Sequence, residues 1–339
     1  MATNQELIDA TIDRQVDQQL YANDVVREEV GRLNSSDEEL FVLLLAALLA
    51  LPPERYTPAQ LEWALQPALA VNASAYAEIG ADLNARLREA VAAEADYQHL
   101  AAAGLVGDGQ QPATPVDKDR TFFEALAVPI MGVTLSETLR QLSEARAAKI
   151  RSTVQAGYVA GHTADEIVRE LRGTRAAAYS DGALNAARAN LETVVRSSLS
   201  HMFEYTRAAF YALNSELVAS VIWLSVLDGR TSPPCIARAG KRYTAATHRP
   251  IGHSYEWGAG PGRYHYNCRS TFAPLVRGEV PADNSYDAWL RRQPAARQDE
   301  ILGPTRGKVY RSSGDTVTQF VNNKGRLLTL EEFRSRSGR

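Results

Sequence analysis

Leu227-Asp228-Gly229-Arg230-Thr231-Ser232-Pro233-Pro234-Cys235 opens the segment that decides how the C-terminal part of this chain folds, and His265-Tyr266-Asn267-Cys268-Arg269-Ser270 closes it. Residues 227–274 contain both cysteines of the chain and three of its six histidines. Turn-forming Pro, Gly, Asp and Ser are common there, so the segment buries little apolar surface of its own. We therefore expect a specific interaction to hold it in place.

A metal ion is one candidate for that interaction, with Cys235, His253, His265 and Cys268 as its ligands. The His-x-x-Cys spacing lets two ligands reach one ion from a single turn, and thiolate and imidazole are ligands that zinc takes. His253, or alternatively His248, would supply the fourth position of a tetrahedral site. The other interpretation is that both cysteines are small buried residues and that the polar loop residues satisfy backbone groups.

Two apolar stretches flank this segment. Residues 218–227 are rich in β-branched side chains, and they predict a strand that ends in a turn at Asp228 and Gly229. Residues 269–275 predict the next strand. With so few strands and so many turn residues, this part of the chain is expected to be a small α+β domain.

The first hundred residues predict helices. Capping-box patterns begin at Ser36 and Thr57, the second with a proline at the first helical position. Residues 104–120 contain turn formers without periodicity and predict a linker or exposed loop. The predicted helices cover residues 4–33, 38–51, 58–70 and 75–103.

A second helical block follows the predicted linker. A capping box at Thr163 predicts a short helix that ends at Gly173, and apolar residues recur at helical spacing over residues 184–213. Gly303 predicts the end of another helix, and a capping box at Thr329 predicts a last short one.

These patterns predict an α+β protein that is predominantly α-helical. It would comprise an acidic helical N-terminal region at residues 1–103, the linker at 104–120, a helical block at 121–217 and a small loop-rich α+β C-terminal domain at 218–339.

Charge is distributed unevenly along the 339 residues. Residues 1–103 carry 6 basic and 17 acidic side chains, whereas residues 104–339 carry 31 basic and 23 acidic ones. This asymmetry suggests an acidic arm that faces protein and a basic half that faces DNA. The alternative is that both sets of charges simply lie on solvated helical surfaces.

Composition excludes several classes of protein. With 45% hydrophobic and 23% charged residues, the chain is expected to be folded and soluble. Its longest apolar run, residues 40–51, falls short of the roughly 20 residues that cross a bilayer, so no membrane-spanning segment is expected. The N-terminus has no basic leader before an apolar stretch, so a cytosolic origin is expected, where cysteines are usually thiols or metal ligands.

Four short motifs resemble, in order, those of the phage Mu F-like minor head proteins, a family involved in head morphogenesis. They are Asp228-x-Arg230-Thr231, then Cys235, then Gly240-x-x-Tyr243, and finally His265-x-Asn267-Cys268-Arg269. The resemblance covers about residues 136–333 and implies that Asp228, Arg230, Thr231 and Asn267 have structural roles. Members of the family carry further cysteines where this chain has Ser232 and Ser270, so a site with four sulfur ligands is not expected.

The resemblance implies a minor capsid protein of a tailed phage. Such a protein would associate with the portal inside the head after assembly in the host cytoplasm, and would act in head assembly and in genome packaging or ejection. It would have no catalytic activity. Its partners would be the portal protein, the major capsid or scaffold protein, and genomic DNA bound without sequence preference. Arg263, Arg269, Arg277, Arg291 and Arg292 are the expected phosphate contacts.

The alternative function is that of a metal-assisted nucleic-acid-binding protein or nuclease centred on residues 228–268. Asp228, Arg230, His265 and Asn267 are polar, and a nuclease of this kind needs a histidine base and a bound metal. No second acid lies at close spacing, however. The glycines of residues 258–262 are interrupted by proline and do not lead into a helix, so they predict a flexible loop and not a phosphate-binding loop.

Overall fold

The structure is a computed structural model that describes residues 2–51, 57–106, 111–177, 179–226, 231–276 and 286–313. These residues form ten helices and one four-stranded sheet, which confirms the predicted helix-dominated α+β class. In chain order the elements are α1 (Asn4–Ala50), α2 (Pro58–Ala102), α3 (Lys118–Ala127), α4 (Leu135–Val159), α5 (Ala164–Arg172), α6 (Asn185–Leu213), β1 (Ser220–Leu224), α7 (Pro233–Arg238), β2 (Arg242–Tyr243), β3 (Pro250–Ile251), β4 (Thr271–Leu275), α8 (Tyr286–Arg292), α9 (Ala295–Leu302) and α10 (Pro304–Ser313).

The sheet is antiparallel throughout, with the strand order β3-β2-β1-β4. β1 and β4 pair along their whole length, with Trp223 opposite Phe272, and every side chain of both strands is buried. Both strands lie within the stretches that predicted them. The two-residue strands β2 and β3 were not predicted, because two residues are too short to show an alternating pattern.

The chain divides into two compact units. Unit 1 comprises Met1–Leu20, Ala90–Ala125 and Ser200–Arg339, and unit 2 comprises Tyr21–Glu89 and Leu126–Leu199. α1, α2, α3 and α6 each contribute residues to both units.

In unit 1, the start of α1 packs on the sheet. Asn4 fixes this start, since its side-chain Oδ1 accepts from the backbone N–H of Val276 at 2.9 Å and its Nδ2 donates to the same residue's carbonyl at 3.3 Å. The core below it consists of buried apolar residues from α1, β1, β4, α8 and α10. These are Ile8, Ile12, Val16, Ile222, Leu224, Ala273, Leu275, Trp289, Leu290 and Tyr310.

The predicted linker packs against unit 1 where the structure describes it. Ala113 is buried in the same core as Trp223. The side chain of Asn214 accepts from the backbone N–H of Thr114 at 2.7 Å and donates to its carbonyl at 2.9 Å. The segment is therefore no free linker over these residues, and α3 already begins at Lys118.

Unit 2 has a helical core to which α1, α2, α4 and α5 contribute. The prediction of two helices before residue 51 was wrong, because α1 runs without a break through Ser36. Ser36 Oγ donates to the carbonyl of Leu33 and does not cap a helix. Asp37, which looked like part of a capping box, is buried and forms ion pairs with Arg146 and Arg188.

Likewise, α2 is one helix and not the predicted two. Pro67 lies inside it and is exposed. The predictions that helices begin at Thr57 and Thr163 are confirmed. At each position the threonine hydroxyl accepts from the backbone N–H three residues later, and the side chain of that later residue accepts from the threonine N–H. Gly173 ends α5 with φ of 90°, a conformation that favours glycine.

Unit 1 also contains a buried polar network centred on Arg207. Its Nη2 lies 2.9 Å from Glu94 Oε1, and its Nη1 lies 3.1 Å from Glu204 Oε1 and also donates to Thr271 Oγ1. Gln18 donates to the second oxygen of Glu94 at 2.6 Å. Burial raises the pKa of Glu204 to about 7. The network joins α1, α2, α6 and β4.

Candidate metal centre

Cys235 lies in α7, the element that follows β1 in the chain. Pro233 and Pro234 occupy the first positions of this short helix, where a missing N–H costs nothing. The carbonyl of Cys235 accepts from Ser225 Oγ at 3.1 Å, and Ser225 in turn accepts from the indole N–H of Trp223 at 3.0 Å. These bonds tie α7 to the end of β1 and hold the thiol in the interior, where the residue is 1% exposed.

His265 reaches the same point from the loop before β4. Its Nδ1 lies 2.8 Å from the carbonyl of Tyr266, to which it can only donate. In the neutral ring, Nε2 is then the unprotonated nitrogen, and it lies 3.4 Å from Cys235 Sγ. A carbonyl that takes the other ring proton is the arrangement that orients metal-binding histidines.

Cys268 completes the cluster. The turn between His265 and Cys268 closes with a backbone hydrogen bond of 3.2 Å, and within it Asn267 has φ of 56°. Asparagine tolerates this left-handed conformation better than most residues. The carbonyl of Cys268 accepts from Ser200 Oγ at 3.2 Å, which fixes the turn against α6.

The three potential ligand atoms are spaced as a metal ion requires. The two sulfur atoms lie 3.9 Å apart, and all three atoms lie within 4.8 Å of one another. In a tetrahedral zinc site with ordinary bond lengths, the S–S edge is about 3.8 Å and the S–N edge about 3.6 Å. Two of the three distances therefore match the edges of such a site closely, and the cluster could hold a metal ion.

The pKa shifts favour a thiolate at Cys235 and a proton on each of its two neighbours, which a bound metal would displace. The hydrogen bond with Cys268, and the adjacent His265 side chain, hold the pKa of the Cys235 thiol well below its usual range. The hydrogen bond to Cys235 raises the pKa of His265. The hydrogen bond between Cys268 and Cys235, together with burial, raises the pKa of Cys268, whereas the backbone amides of Ser270 and Gly262 oppose the shift. The lowered pKa of Cys235 favours its thiolate, the form in which cysteine binds metals.

A cavity of about 10 Å³ adjoins the cluster, roughly the room that one water needs. Thr231, Asn267 and Arg269 line it together with Cys235 and His265. Thr231 Oγ1 donates to the carbonyl of Val226. The structure therefore brings together the two described residues of the predicted motif-structural set and the three metal-ligand candidates.

Ser232 and Ser270 line the same cavity. Ser270 Oγ lies 3.0 Å from Ser225 Oγ. Hydroxyl groups therefore surround the cluster at these positions. Asp228 and Arg230, predicted to be motif-structural or part of an enzyme site, lie outside the described residues.

His253 was predicted as the fourth ligand, but it does not lie in the cluster. Its Nε2 lies 2.8 Å from the carbonyl of Arg242, and its Nδ1 accepts from the backbone N–H of Tyr255 at 3.2 Å. Both ring nitrogens are thus bound to backbone groups of the β2–β3 hairpin. His248, the other candidate, stacks on Trp257 with a centroid distance of 4.2 Å, and burial lowers its pKa to about 4.

The prediction of a flexible loop at residues 258–262 was wrong. Gly262 is buried with φ of 75°, and a Cβ there would lie 2.8 Å from the carbonyl oxygen of Ser200 and 2.7 Å from Glu204 Cγ. Gly260 packs as closely on Trp257. The glycines allow the loop to approach α6 and an aromatic cluster. In that cluster the ring of Trp257 contacts the rings of Trp223 and Tyr243, both edge to face.

Most of the arginines predicted to bind phosphate have partners within the protein. Arg291 pairs with Asp287 at 3.0 Å, and Arg292 pairs with Asp9 at 2.6 Å. Arg263 is half-buried and donates to the carbonyl of Ala259. Arg269 lines the small cavity, and Arg277 lies outside the described residues.

Arg297 is a basic side chain of the C-terminal helices that pairs with acidic side chains near the start of the chain. It lies 2.9 Å from Asp13 and 2.6 Å from Asp17, both in α1, and 2.6 Å from Glu300. The acidic start of the chain and the basic C-terminal helices therefore neutralise one another within unit 1. Hydrophobic periodicity alone could not have revealed this, because it carries no information on which surfaces meet.

Comparisons with protein-family models, curated proteins and solved structures found no match to this chain. Among the described residues, no helix is both long and apolar enough to cross a membrane.

Proposed function

We propose that this chain is a minor head protein of a tailed phage, associated with the portal inside the head and active in head assembly and in genome packaging or ejection. The observation that carries the proposal is the convergence of the four sequence motifs. Cys235, His265 and Cys268, which belong to two of them, meet in one cluster, and Thr231 lines the adjoining cavity. Tyr243, from another motif, is fully buried in the aromatic cluster beside it. Motifs far apart in sequence thus build one structural unit.

We further propose that the cluster binds one zinc ion with a structural role. Cys235, His265 and Cys268 would hold it, and it would join α7 to the loop before β4. When bound, zinc would crosslink a segment that has few regular hydrogen bonds of its own. Two sulfur ligands favour zinc over magnesium or calcium, which prefer oxygen.

The partner surface that we propose for the portal, capsid or scaffold protein lies on the helices of unit 2. Val42, Leu49 and Trp63 belong to α1 and α2 and are 67%, 69% and 80% exposed. Large apolar side chains on exposed helix faces are the anchors by which amphipathic helices bind other proteins. This part of the proposal can be tested by substitution.

The experiment is a pull-down of the full-length chain with the portal protein of the same phage. Deleting the N-terminal region would be uninformative, because Ile8, Ile12 and Val16 belong to the core of unit 1. We expect stoichiometric binding by the wild-type chain. If the folded chain binds neither portal nor capsid nor scaffold protein, the proposal is wrong.

The proposed docking surface on unit 2 can be tested with one variant and one control variant. We expect the triple substitution of Val42, Leu49 and Trp63 by Ser to abolish portal binding. Leu100 and Phe123 in unit 1 are 74% and 58% exposed, so their substitution by Ser controls for the loss of apolar surface. Equal loss in both variants would place the docking surface elsewhere.

The second candidate function is a metal-assisted nuclease, and one observation favours it. The cluster offers three protein ligands, and a zinc ion with three protein ligands keeps one position for a water. The sulfur ligands speak against the magnesium that would bind phosphate. The test is incubation of supercoiled plasmid with the chain and zinc, manganese or magnesium. Cleavage that disappears in His265→Ala would favour the nuclease, and intact plasmid would exclude it.

A further inference from the structure

The part of the chain from α7 to β4 carries an unbalanced positive charge. Residues 231–276 contain six basic side chains and a single acidic one, Glu256. In the C-terminal helices, by contrast, arginines lie beside carboxylates, as Arg292 does beside Asp9. The excess charge is therefore a property of this segment and is not spread over unit 1.

Three of these cations lie close together on the β2–β3 hairpin. Within the described parts of the chain, Lys241, Arg242 and Arg249 have no carboxylate oxygen within 4.0 Å, and the two arginines are exposed. Cations that form no ion pair with the described residues are available to contact an external anion. Such a contact would replace water and counterions and would break no ion pair of the fold.

The hairpin register puts the two arginines on one face. Arg242 pairs with Ile251, and the backbone N–H of Thr244 donates to the carbonyl of Arg249 at 3.0 Å. Arg249 therefore lies diagonally across from Arg242, where positions on the same face are about 7–8 Å apart. Tyr243, between Arg242 and Thr244, is fully buried, so its neighbours point away from the core.

An exposed aromatic ring adjoins these cations. Tyr255 is 45% exposed, and Lys241 Nζ lies 5.7 Å from its ring centroid. The backbone N–H of Tyr255 donates to His253, whose other nitrogen holds the carbonyl of Arg242. The ring is thereby tied to the hairpin. An aromatic ring among cations is the combination on which bases of single-stranded nucleic acids stack.

We propose that the surface formed by Lys241, Arg242, Arg249 and Tyr255, the hairpin surface, binds DNA through its phosphodiester backbone. The cations contact phosphates, and Tyr255 stacks on an unpaired base where one is present. The inference rests on the proposed function, because it assigns the DNA contact of a head protein to particular side chains. It also moves that contact away from Arg291 and Arg292, which are ion-paired.

The test is fluorescence anisotropy of a labelled 30-residue DNA, as duplex and as single strand, with the full-length chain over a series of salt concentrations. We expect Lys241→Gln/Arg242→Gln/Arg249→Gln to weaken duplex binding at least tenfold. The slope of log affinity against log salt should fall by about 0.9 for each phosphate that the variant no longer neutralises. Tyr255→Ala should weaken single-strand binding about 5- to 150-fold and leave duplex binding unchanged.

A matched control removes the same charge elsewhere. Lys149, Arg169 and Arg175 in unit 2 are exposed, and no carboxylate of the described residues lies within 4.0 Å of them. We expect Lys149→Gln/Arg169→Gln/Arg175→Gln to bind DNA nearly as the wild type does. Equal loss in both triple variants would overturn the inference, and so would wild-type affinity in the hairpin variant.

Portal binding separates this inference from the proposed function. The hairpin variant should still bind portal protein stoichiometrically, since its substitutions lie in unit 1 and the proposed docking surface lies in unit 2. A wild-type chain that binds portal protein but no DNA at low salt would overturn the hairpin surface alone. A chain that binds DNA through the hairpin but no head protein would overturn the proposed function and leave the surface in place.

Discussion

Arg207 and Glu94 form an ion pair of 2.9 Å in which both side chains are fully buried. Glu204 lies on the other side of the guanidinium at 3.1 Å. The guanidinium of Arg207 thus lies between two buried carboxylates, of which Glu94 also pairs with Arg14 at 3.1 Å. Burial raises the pKa of Glu204, and the nearby Glu94 adds to the shift. A buried arginine in this position stabilises the fold mainly because, without it, the carboxylates beside it would be buried with less compensation of their charge.

We expect Arg207→Met to lower the free energy of unfolding by about 3–5 kcal/mol, because it removes the cation beside the buried Glu204 and leaves the buried Glu94 with Arg14 alone. Urea unfolding followed by circular dichroism would measure the change. Arg27→Met is the control, since Arg27 and Asp24 form an exposed pair whose loss should cost less than about 1 kcal/mol. Similar losses in both variants would mean that the network contributes little.

Metal analysis should find one equivalent of zinc in the purified wild-type chain. Cys235→Ser and Cys268→Ser should each lose it, because either change leaves two ligands. His253→Ala should keep it, since His253 binds backbone groups outside the cluster. Less than about a tenth of an equivalent in a folded wild-type chain, after mild chelation, would contradict zinc binding.

Substitutions at two glycines distinguish the cost of a left-handed backbone conformation from the cost of a steric clash. Gly252 has φ of 77° and open space where a Cβ would lie, whereas at Gly262, with φ of 75°, a Cβ would lie 2.8 Å from the Ser200 carbonyl oxygen. We expect Gly252→Ala to cost about 1 kcal/mol of stability from the conformation alone. Gly262→Ala should cost about 2–4 kcal/mol, because the clash is added. Equal costs, read from urea midpoints, would mean that the loop shifts freely.

The buried His201 should make the protein sensitive to acid. Burial lowers its pKa to about 4, while Nε2 lies 2.9 Å from the carbonyl of Ala125. The unfolded chain, with a histidine pKa of about 6.5, binds more protons between pH 6.5 and 4, so stability falls as the pH falls through this window. Each pH unit contributes up to about 1.4 kcal/mol.

We expect the free energy of unfolding of the wild type, relative to that of His201→Gln, to fall as the pH falls through that window. Glu204 acts in the opposite sense, because its folded pKa is raised and the folded state binds the additional proton below about pH 7. The informative quantity is therefore the difference between variant and wild type at each pH, measured by urea unfolding. A difference that does not change between pH 6.5 and 4 would contradict the assignment.

Much of the fold could be predicted from local patterns. The strands around Trp223 and Phe272, the capping box at Thr163 and the end of a helix at Gly303 all follow from short-range rules. The break predicted near Ser36 failed because Asp37 is acidic for a long-range reason, its buried pairing with Arg146. An acidic residue can stand at a position because it caps a helix or because it pairs with a distant cation, and the sequence does not distinguish these two roles.

The candidate site could be predicted only in part from the sequence. Cys235, His265 and Cys268 could be singled out by their residue types and by one short spacing. That His253 faces backbone groups depends on the β2–β3 hairpin, whose two-residue strands leave no periodic signal. The ion pairs between Arg297 and α1 depend on which surfaces meet, and no local rule specifies that.

The packing of α1 on the sheet has a consequence for biosynthesis. Ile8, Ile12 and Val16 leave the ribosome nearly three hundred residues before their partners Trp289 and Tyr310. At about 5–20 residues per second, an apolar helix face waits many seconds for the strands and helices that cover it. Pairings of such long range also close slowly. The apolar face of α1 in the nascent chain therefore stays without its native cover until Trp289 and Tyr310 have been made.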